Sequence, residues 1–384
     1  MLKHVARDAL DACMDVRLDA RLAEHYVAPP QTVCVDLRVS DCPDASRRFV
    51  LGSQIESVRL AHVSGLATPS ARITLNLALL SAMLDDPTNF DPRSAKSLSL
   101  GGVQIEGAER LAAYWLQLLK RPSPAARVAL DRAARRAPST LSSVPIYHAN
   151  TRDDSALHDT IAATLDASVP LLVRELIQWP EIAWTLAEWR ERERTTVLRH
   201  EPTSGAPQTV GDFIDGFDSP TQRGAYTKGC LLPPAWEARF ALPSLPAGLF
   251  GAAQLWFGNA SAALVTRLHC DLASSFLAQI HGRKRVRLYA PSQEHAVYAL
   301  DSFNTYRPCR VDVGSPDLAR FPRFADARGV DIVLAPGDLL VIPTGWFHCV
   351  WALDPVFSIS RFADDVSACA MLRRREPTLH SLAT

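Results

Sequence analysis

From about residue 195 to residue 363 the chain is a succession of short apolar runs, each closed by glycine or proline. AQLWFGNAS, FLAQIHGRKRVRLYAP, DIVLAPGDLLVIPTGWFHCVWAL and VFSISRFA are examples. Runs this short, rich in β-branched and aromatic residues and broken this often, predict strands of an all-β barrel or jelly roll. Inside them, VTRLHCDLASSFLAQIHGRKRVRLYAP places His269 and Asp271 two residues apart. Residues i and i+2 of a strand point to the same face, so an imidazole and a carboxylate share a wall that otherwise reads as buried. An unpaired buried carboxylate is costly, and a metal cation would supply its partner.

Two donors do not complete a site. A redox-active divalent ion held by two histidines and one carboxylate keeps open positions on its other side, and the third ligand must come from a distant strand. PGDLLVIPTGWFHCVWAL offers His348, after a turn at Pro336-Gly337-Asp338 and behind aromatic residues. Taken singly, His269 and Asp271 read as a structural hydrogen-bonded pair, and His348 as a core histidine capped by a carbonyl. The joint order of HxD, GRKRVRLYAP and GDLLVIPTGWFH is far more specific and favours the metal.

The N-terminal third has a different rhythm. Residues 1 to about 25 pattern as an amphipathic helix. QTVCVDLRVSD and RRFVLGSQIESVRLAHVSG read as strands on either side of a turn near Pro43. ARITLNLALLSAMLDD starts as strand at Ile73 and turns into helix. AKSLSLGGVQIEG reads as a bent strand or strand pair around Gly101 and Gly102. AERLAAYWLQLLKRP spaces Leu111, Tyr114, Trp115, Leu118 and Leu119 on one helical face, and Pro122 stops it. The expected organisation is an α+β domain over 1–120 and a Pro/Ala/Arg-rich linker with a short helix over 121–143. A mainly β domain with flanking helices follows over 144–366, then a tail over 367–384.

Composition narrows the partners. Lys plus Arg and Asp plus Glu are 41 each among 384 residues, so no bulk attraction draws the chain to nucleic acid or anionic lipid. The first twenty residues hold no apolar core of a signal peptide, and no stretch approaches the length of a membrane span. The eight cysteines form no CxxC pair, which fits reduced thiols and a cytoplasmic location. The many Ala and Arg residues suggest a GC-rich bacterial genome.

On these motifs residues 144–365 resemble the JmjC-type, cupin-like Fe(II)/2-oxoglutarate oxygenases, and most of all the asparaginyl hydroxylase that inhibits hypoxia-inducible factor. VPLLVRELIQWP is similar to that family's opening strand and Trp-Pro corner, and the HxD and GWFH segments to its two ligand segments. The resemblance implies a double-stranded β-helix holding iron through His269, Asp271 and His348. It implies that 2-oxoglutarate meets Lys284, Thr266 and Tyr226 at its distal carboxylate. Ser275 stands where that asparaginyl hydroxylase carries asparagine, and Arg361 where many family members do; Arg361 is expected at the 2-oxoglutarate or at an acidic substrate. Cys270 and His281 are read as structural. The N-terminal part resembles, more faintly, the sterol-carrier-protein-type fold through ARITLNLALLSAMLDD and SLSLGGVQIEGAERLAAYWLQLLKR. The alternative for it is a scaffold that packs on the oxygenase or mediates homodimerisation.

The implied activity is Fe(II)-, 2-oxoglutarate- and O2-dependent hydroxylation of an amino-acid side chain in a peptide or protein. A small or carrier-bound amino-acid-derived product is the alternative substrate. A non-catalytic shell binding metal and an apolar ligand is the alternative class. A chromatin- or DNA-associated demethylase finds no zinc module and no basic excess to support it.

Overall fold

The structure is a computed structural model that describes residues 16–63, 68–92, 102–149, 154–200, 207–218, 226–227, 230–246, 248–259 and 263–374. The chain divides into two units, residues 1–127 with 300–307, and residues 128–299 with 308–384. It is a C-terminal double-stranded β-helix preceded by a smaller α+β unit.

In the first unit, β1 (Val33–Val39), β2 (Arg47–Leu51), β3 (Ile55–Arg59), β4 (Ala71–Leu75) and β5 (Gln104–Gly107) form one sheet in the order β3-β2-β1-β4-β5. β1 runs parallel to β4. Period-2 alternation buries Val35, Leu37 and Val39 on one face with Phe49, Leu51, Ile73 and Leu75. Onto that face pack α1 (16–23), α2 (Leu77–Asp85) and α3 (Glu109–Leu118). Asn76 caps α2 by accepting the Leu79 amide at 2.8 Å. The helical stripe read from the sequence buries Trp115 and Leu118, and Trp115 meets Phe49 at 5.2 Å between ring centroids. β5 ends at Gly107, whose φ is +82° and where a Cβ would lie 2.6 Å from the Ser70 carbonyl oxygen; only glycine makes this turn into α3. On the other face Asp36 and Arg48 lie opposite each other and pair bidentately at 2.6 and 3.0 Å. Residues 1–15 of the expected first helix, and 93–101 of the expected bent strand, lie outside the described residues.

The second unit contains two facing sheets. The first runs β10 (Cys230–Leu231), β11 (Gln254–Gly258), β19 (Val356–Ala363), β13 (Ser274–His281), β17 (Leu339–Ile342), β7 (Leu171–Arg174) and β6 (Ile146–His148). The second runs β15 (Tyr306–Pro308), β12 (Leu264–Asp271), β18 (Phe347–Ala352), β14 (Lys284–Tyr289) and β16 (Gly329–Leu334). A separate hairpin pairs β8 (Val197–His200) with β9 (Pro207–Thr209). Leu277, Leu340, Leu172 and Ile342 of the first sheet meet Val286, Leu288, Val350 and Ile332 of the second between the layers.

Helices cover the outer face of the larger sheet. α5 (Asp154–Asp166) and α8 (Asp365–Leu372) pack on Phe276, Leu339 and Val341. α6 (Leu186–Arg192) and α7 (Val210–Asp215) bring Trp189 and Phe213 onto Phe257, Phe357 and Ile359. The segment expected as a linker carries α4 (Pro124–Arg136). Within the second unit its Ala133 is buried, and a Cβ on Gly345 would lie 3.2 Å from it. The Pro- and Arg-rich composition concealed this packing because the buried residues are alanines.

Candidate metal centre

β12 and β18 run antiparallel, and His269 lies directly opposite His348. Asp271, two residues on, shares that face. One ligand atom from each of the three residues lies within 4.8 Å of the others. His269 Nε2 is 3.6 Å from Asp271 Oδ1, and His348 Nε2 is 3.7 Å from Oδ2. The backbone fixes both rings. His269 Nδ1 lies 2.7 Å from the Arg267 carbonyl oxygen, and His348 Nδ1 lies 3.1 Å from that of Trp346. An Nδ1–H donated to a carbonyl leaves the Nε2 lone pair for a metal.

The electrostatics suit a cation. Burial pushes the His348 imidazole down to about 4, and the neighbouring His269 pushes in the same direction, so His348 is neutral at pH 7. Burial alone would raise the Asp271 carboxyl, but its hydrogen bond to His269 and the two imidazoles hold it below the usual carboxylate range. Two imidazoles and one carboxylate, converging on one point, form a donor set for a divalent first-row ion. Gly345 N–H donates to the Asp271 carbonyl at 3.0 Å, and the Thr344 amide donates to Ser274 Oγ at 3.1 Å. These bonds tie the turn after β12 to the turn before β18, which keeps the two ligand strands in register.

Further along the same face lies a buried lysine. Lys284 pairs with Ala352 and Leu288 with His348, so Lys284 sits four residues, about 13 Å, along the strand from the ligand level. Its side chain is buried. Desolvation alone lowers its amine to about 7, and it has no ion-pair partner among the described residues. Its Nζ lies 5.5 Å from the centre of the Tyr226 ring. The Tyr226 hydroxyl is also buried and has no hydrogen-bond partner among the described residues. Burial raises its pKa, so it stays a donor.

Thr266 reaches this face through an irregularity. Strict alternation would turn a residue three before His269 to the other side. A register shift lies between Thr266 and His269, and Thr266 pairs with Val350, two residues from His348. Directly opposed residues share a face, so Thr266 stands on the ligand wall. Arg283 and Arg285 alternate away from Lys284. Arg285 stacks at 4.1 Å over Trp351 and Arg283 pairs with Asp354 at 2.8 Å, both outside the barrel.

Arg361 is not brought to this pocket. It lies opposite Phe276, on the helix-covered outer face, while its neighbour Ser360 lies opposite Leu277 on the inner one. Its guanidinium contacts Glu237 at 3.2 Å and the Phe240 carbonyl at 3.3 Å. Ser275 faces inward opposite Ile342. Cys270 is buried on the outer face, and His281 Nδ1 lies 3.0 Å from the Trp184 carbonyl oxygen. No sequence motif marks Trp256. It is placed inside by its pairing with Ser358, one step from Gly258, which pairs with Val356 and bridges to Tyr226.

Residues 191–366, a little under half of the chain, match the family described as "Cupin-like domain". This segment is similar to cupin-like domains. The chain is similar to lysine-specific demethylase 8 of Xenopus tropicalis, with 44% identity over 105 residues, 27% of this chain and 23% of that protein. JmjC domain-containing protein D of Dictyostelium discoideum is 38% identical over 96 residues, 25% of this chain and 21% of that protein. tRNA wybutosine-synthesizing protein 5 of Danio rerio is 41% identical over 85 residues, 22% of this chain and 25% of that protein. The chain thus matches about a quarter of the length of these relatives. All three organisms are eukaryotes, so the similarities lend no support to the bacterial origin suggested by composition. No helix among the described residues is long and apolar enough to cross a membrane.

Proposed function

We propose that the chain is an Fe(II)- and 2-oxoglutarate-dependent oxygenase that hydroxylates an amino-acid side chain in a peptide or protein. The observation that carries this reading is the pairing, on one sheet face, of a convergent His-Asp-His triad with a buried lysine that has no anionic partner among the described residues. His269, Asp271 and His348 would hold the metal, and their one-sided arrangement leaves positions for co-substrate and oxygen. When bound, iron with 2-oxoglutarate and oxygen supplies the oxidising power to functionalise an unactivated C–H bond, while 2-oxoglutarate is converted to succinate and carbon dioxide.

The residues of the chain contribute position and dryness. Lys284 Nζ neutralises the distal carboxylate, and Thr266 and Tyr226 hydroxyls donate to it. Val286 and Val350, packed between the sheets, keep water from this end of the pocket.

The relatives' names include a lysine-specific demethylase and a tRNA wybutosine-synthesizing protein. The balance of 41 basic and 41 acidic residues favours a protein or peptide over tRNA, because phosphate contacts dominate nucleic-acid affinity. The test has two parts. Protein loaded with Fe(II) without oxygen is given 2-oxoglutarate and then oxygen, and succinate is measured against Asp271→Ala. Succinate no higher than in the variant sinks the oxygenase reading. A peptide library is then screened for gain of one oxygen atom. Turnover with modification confined to free small molecules would move the substrate to the small or carrier-bound class.

A further inference from the structure

The wall around Lys284 holds one more donor than the sequence motifs account for. Trp256 lies on the inner face of β11, and its ring centroid is 6.2 Å from that of Tyr226. Trp256 and Val265 both pack on Tyr226, Ala352 and Val356. Ala352 is the register partner of Lys284, so the indole and the ammonium line one compartment. The Trp256 Nε1 is shut off from solvent and has no hydrogen-bond partner among the described residues.

Neighbouring polar groups on this face are satisfied. Ser358, the register partner of Trp256, donates from Oγ to Gln279 Oε1 at 2.7 Å. The Gln279 amide donates to the His281 and Gly282 carbonyls at 2.7 and 2.8 Å. Unmet donors therefore gather at Lys284, Tyr226 and Trp256. A buried donor left unpaired is destabilising, and an indole N–H can only donate. Three buried donors without a partner among the described residues describe a pocket shaped for an anion. An ionised carboxylate offers about four lone-pair sites. Lys284, Tyr226 and Thr266 can fill three of them.

We propose that Trp256 Nε1 is the fourth donor to the distal carboxylate of 2-oxoglutarate and a determinant of selectivity for dicarboxylate over monocarboxylate 2-oxo acids. This rests on the oxygenase reading above. A 2-oxo acid lacking the distal carboxylate leaves Trp256 and Tyr226 unpaired and Lys284 without its counter-charge. The discrimination then comes from orphaned donors as well as from lost attraction.

The test is equilibrium binding without turnover. Protein is loaded with Mn(II), oxygen is excluded, and dissociation constants for 2-oxoglutarate and for 2-oxobutyrate are measured by calorimetry. Trp256→Phe should weaken 2-oxoglutarate about ten- to a hundredfold, the scale of one lost hydrogen bond to a charged group. It should leave Mn(II) and 2-oxobutyrate binding unchanged. If Trp256→Phe does not fold, benzothienylalanine at 256 keeps the ring shape, replaces N–H with sulfur and should give the same result. Unchanged 2-oxoglutarate binding in the variant, or equal weakening of both ligands, overturns the assignment while leaving the oxygenase reading intact. Failure of the Mn(II)-loaded wild type to bind 2-oxoglutarate overturns that reading, and this inference with it.

Discussion

His269 and His348 face each other as a directly opposed pair across β12 and β18, their ring centroids 4.3 Å apart and each Nδ1 near the carbonyl oxygen two residues earlier. Two imidazoles this close cannot both carry a proton on Nε2 without repulsion, and the lowered pKa of His348 reflects this alongside its burial. The pair is oriented for a cation between the rings. His348→Ala should weaken Fe(II) binding at least about a hundredfold, beyond the loss typical of changes outside the ligand set. Anaerobic iron titration reads this directly. Wild-type affinity in the variant would remove His348 from the ligand set.

Lys284 should be a liability for the free protein. Its folded-state pKa of about 7 lies below the ordinary 10.5. Between those values the unfolded chain binds more protons, so stability rises with pH through that window and is lowest at and below pH 7. Lys284→Met removes the penalty. It should stabilise the ligand-free protein by about 2–4 kcal/mol at pH 7, with the gain fading toward pH 10. The same variant should lose 2-oxoglutarate binding. Thermal melts across pH check the first part; a variant that melts lower than wild type at pH 7 contradicts it.

The same amine sets a pH dependence for the co-substrate. The carboxylate needs the ammonium form, and in the free protein that form is lost as pH rises through about 7. Above that point binding must take up a proton. The 2-oxoglutarate dissociation constant of the metal-loaded protein should rise between pH 7 and pH 9, by up to about tenfold per unit. Lys284→Arg, whose guanidinium stays charged throughout this range, should abolish the slope. A constant that is flat over this range in the wild type would mean that Lys284 keeps its charge by other means.

Arg361 should matter for stability and not for 2-oxoglutarate. Its contacts to Glu237 and to the Phe240 carbonyl lie on the covered outer face. Arg361→Ala should lower the melting temperature, with a loss of about 1–3 kcal/mol from the broken charged hydrogen bonds. The 2-oxoglutarate constant should stay within about twofold, since a shift of 1.4 kcal/mol is tenfold. A large rise in that constant with an unchanged melting temperature would return Arg361 to the pocket.

The sequence by itself determined the β-rich second half, because short runs closed by Gly and Pro admit little else. It also placed His269 beside Asp271, because strand alternation is rigid over two residues. His348 could be paired with them only through the order of motifs; the register of β12 against β18 makes that proximity physical. Two features of the pocket were decided only by tertiary structure. Thr266 shares the ligand face because an extra residue interrupts β12, and irregularities of this kind leave no mark in composition. Arg361 lies outside because β19 registers it against Phe276, while Ser360, one residue away, faces in. A single step in register moves a side chain to the other face of a sheet. Trp256 shows the same limit. Its indole is one among eight tryptophans in the chain, and only the packing of β11 against Tyr226 and Val356 brings its ring to the tyrosine over which Lys284 lies.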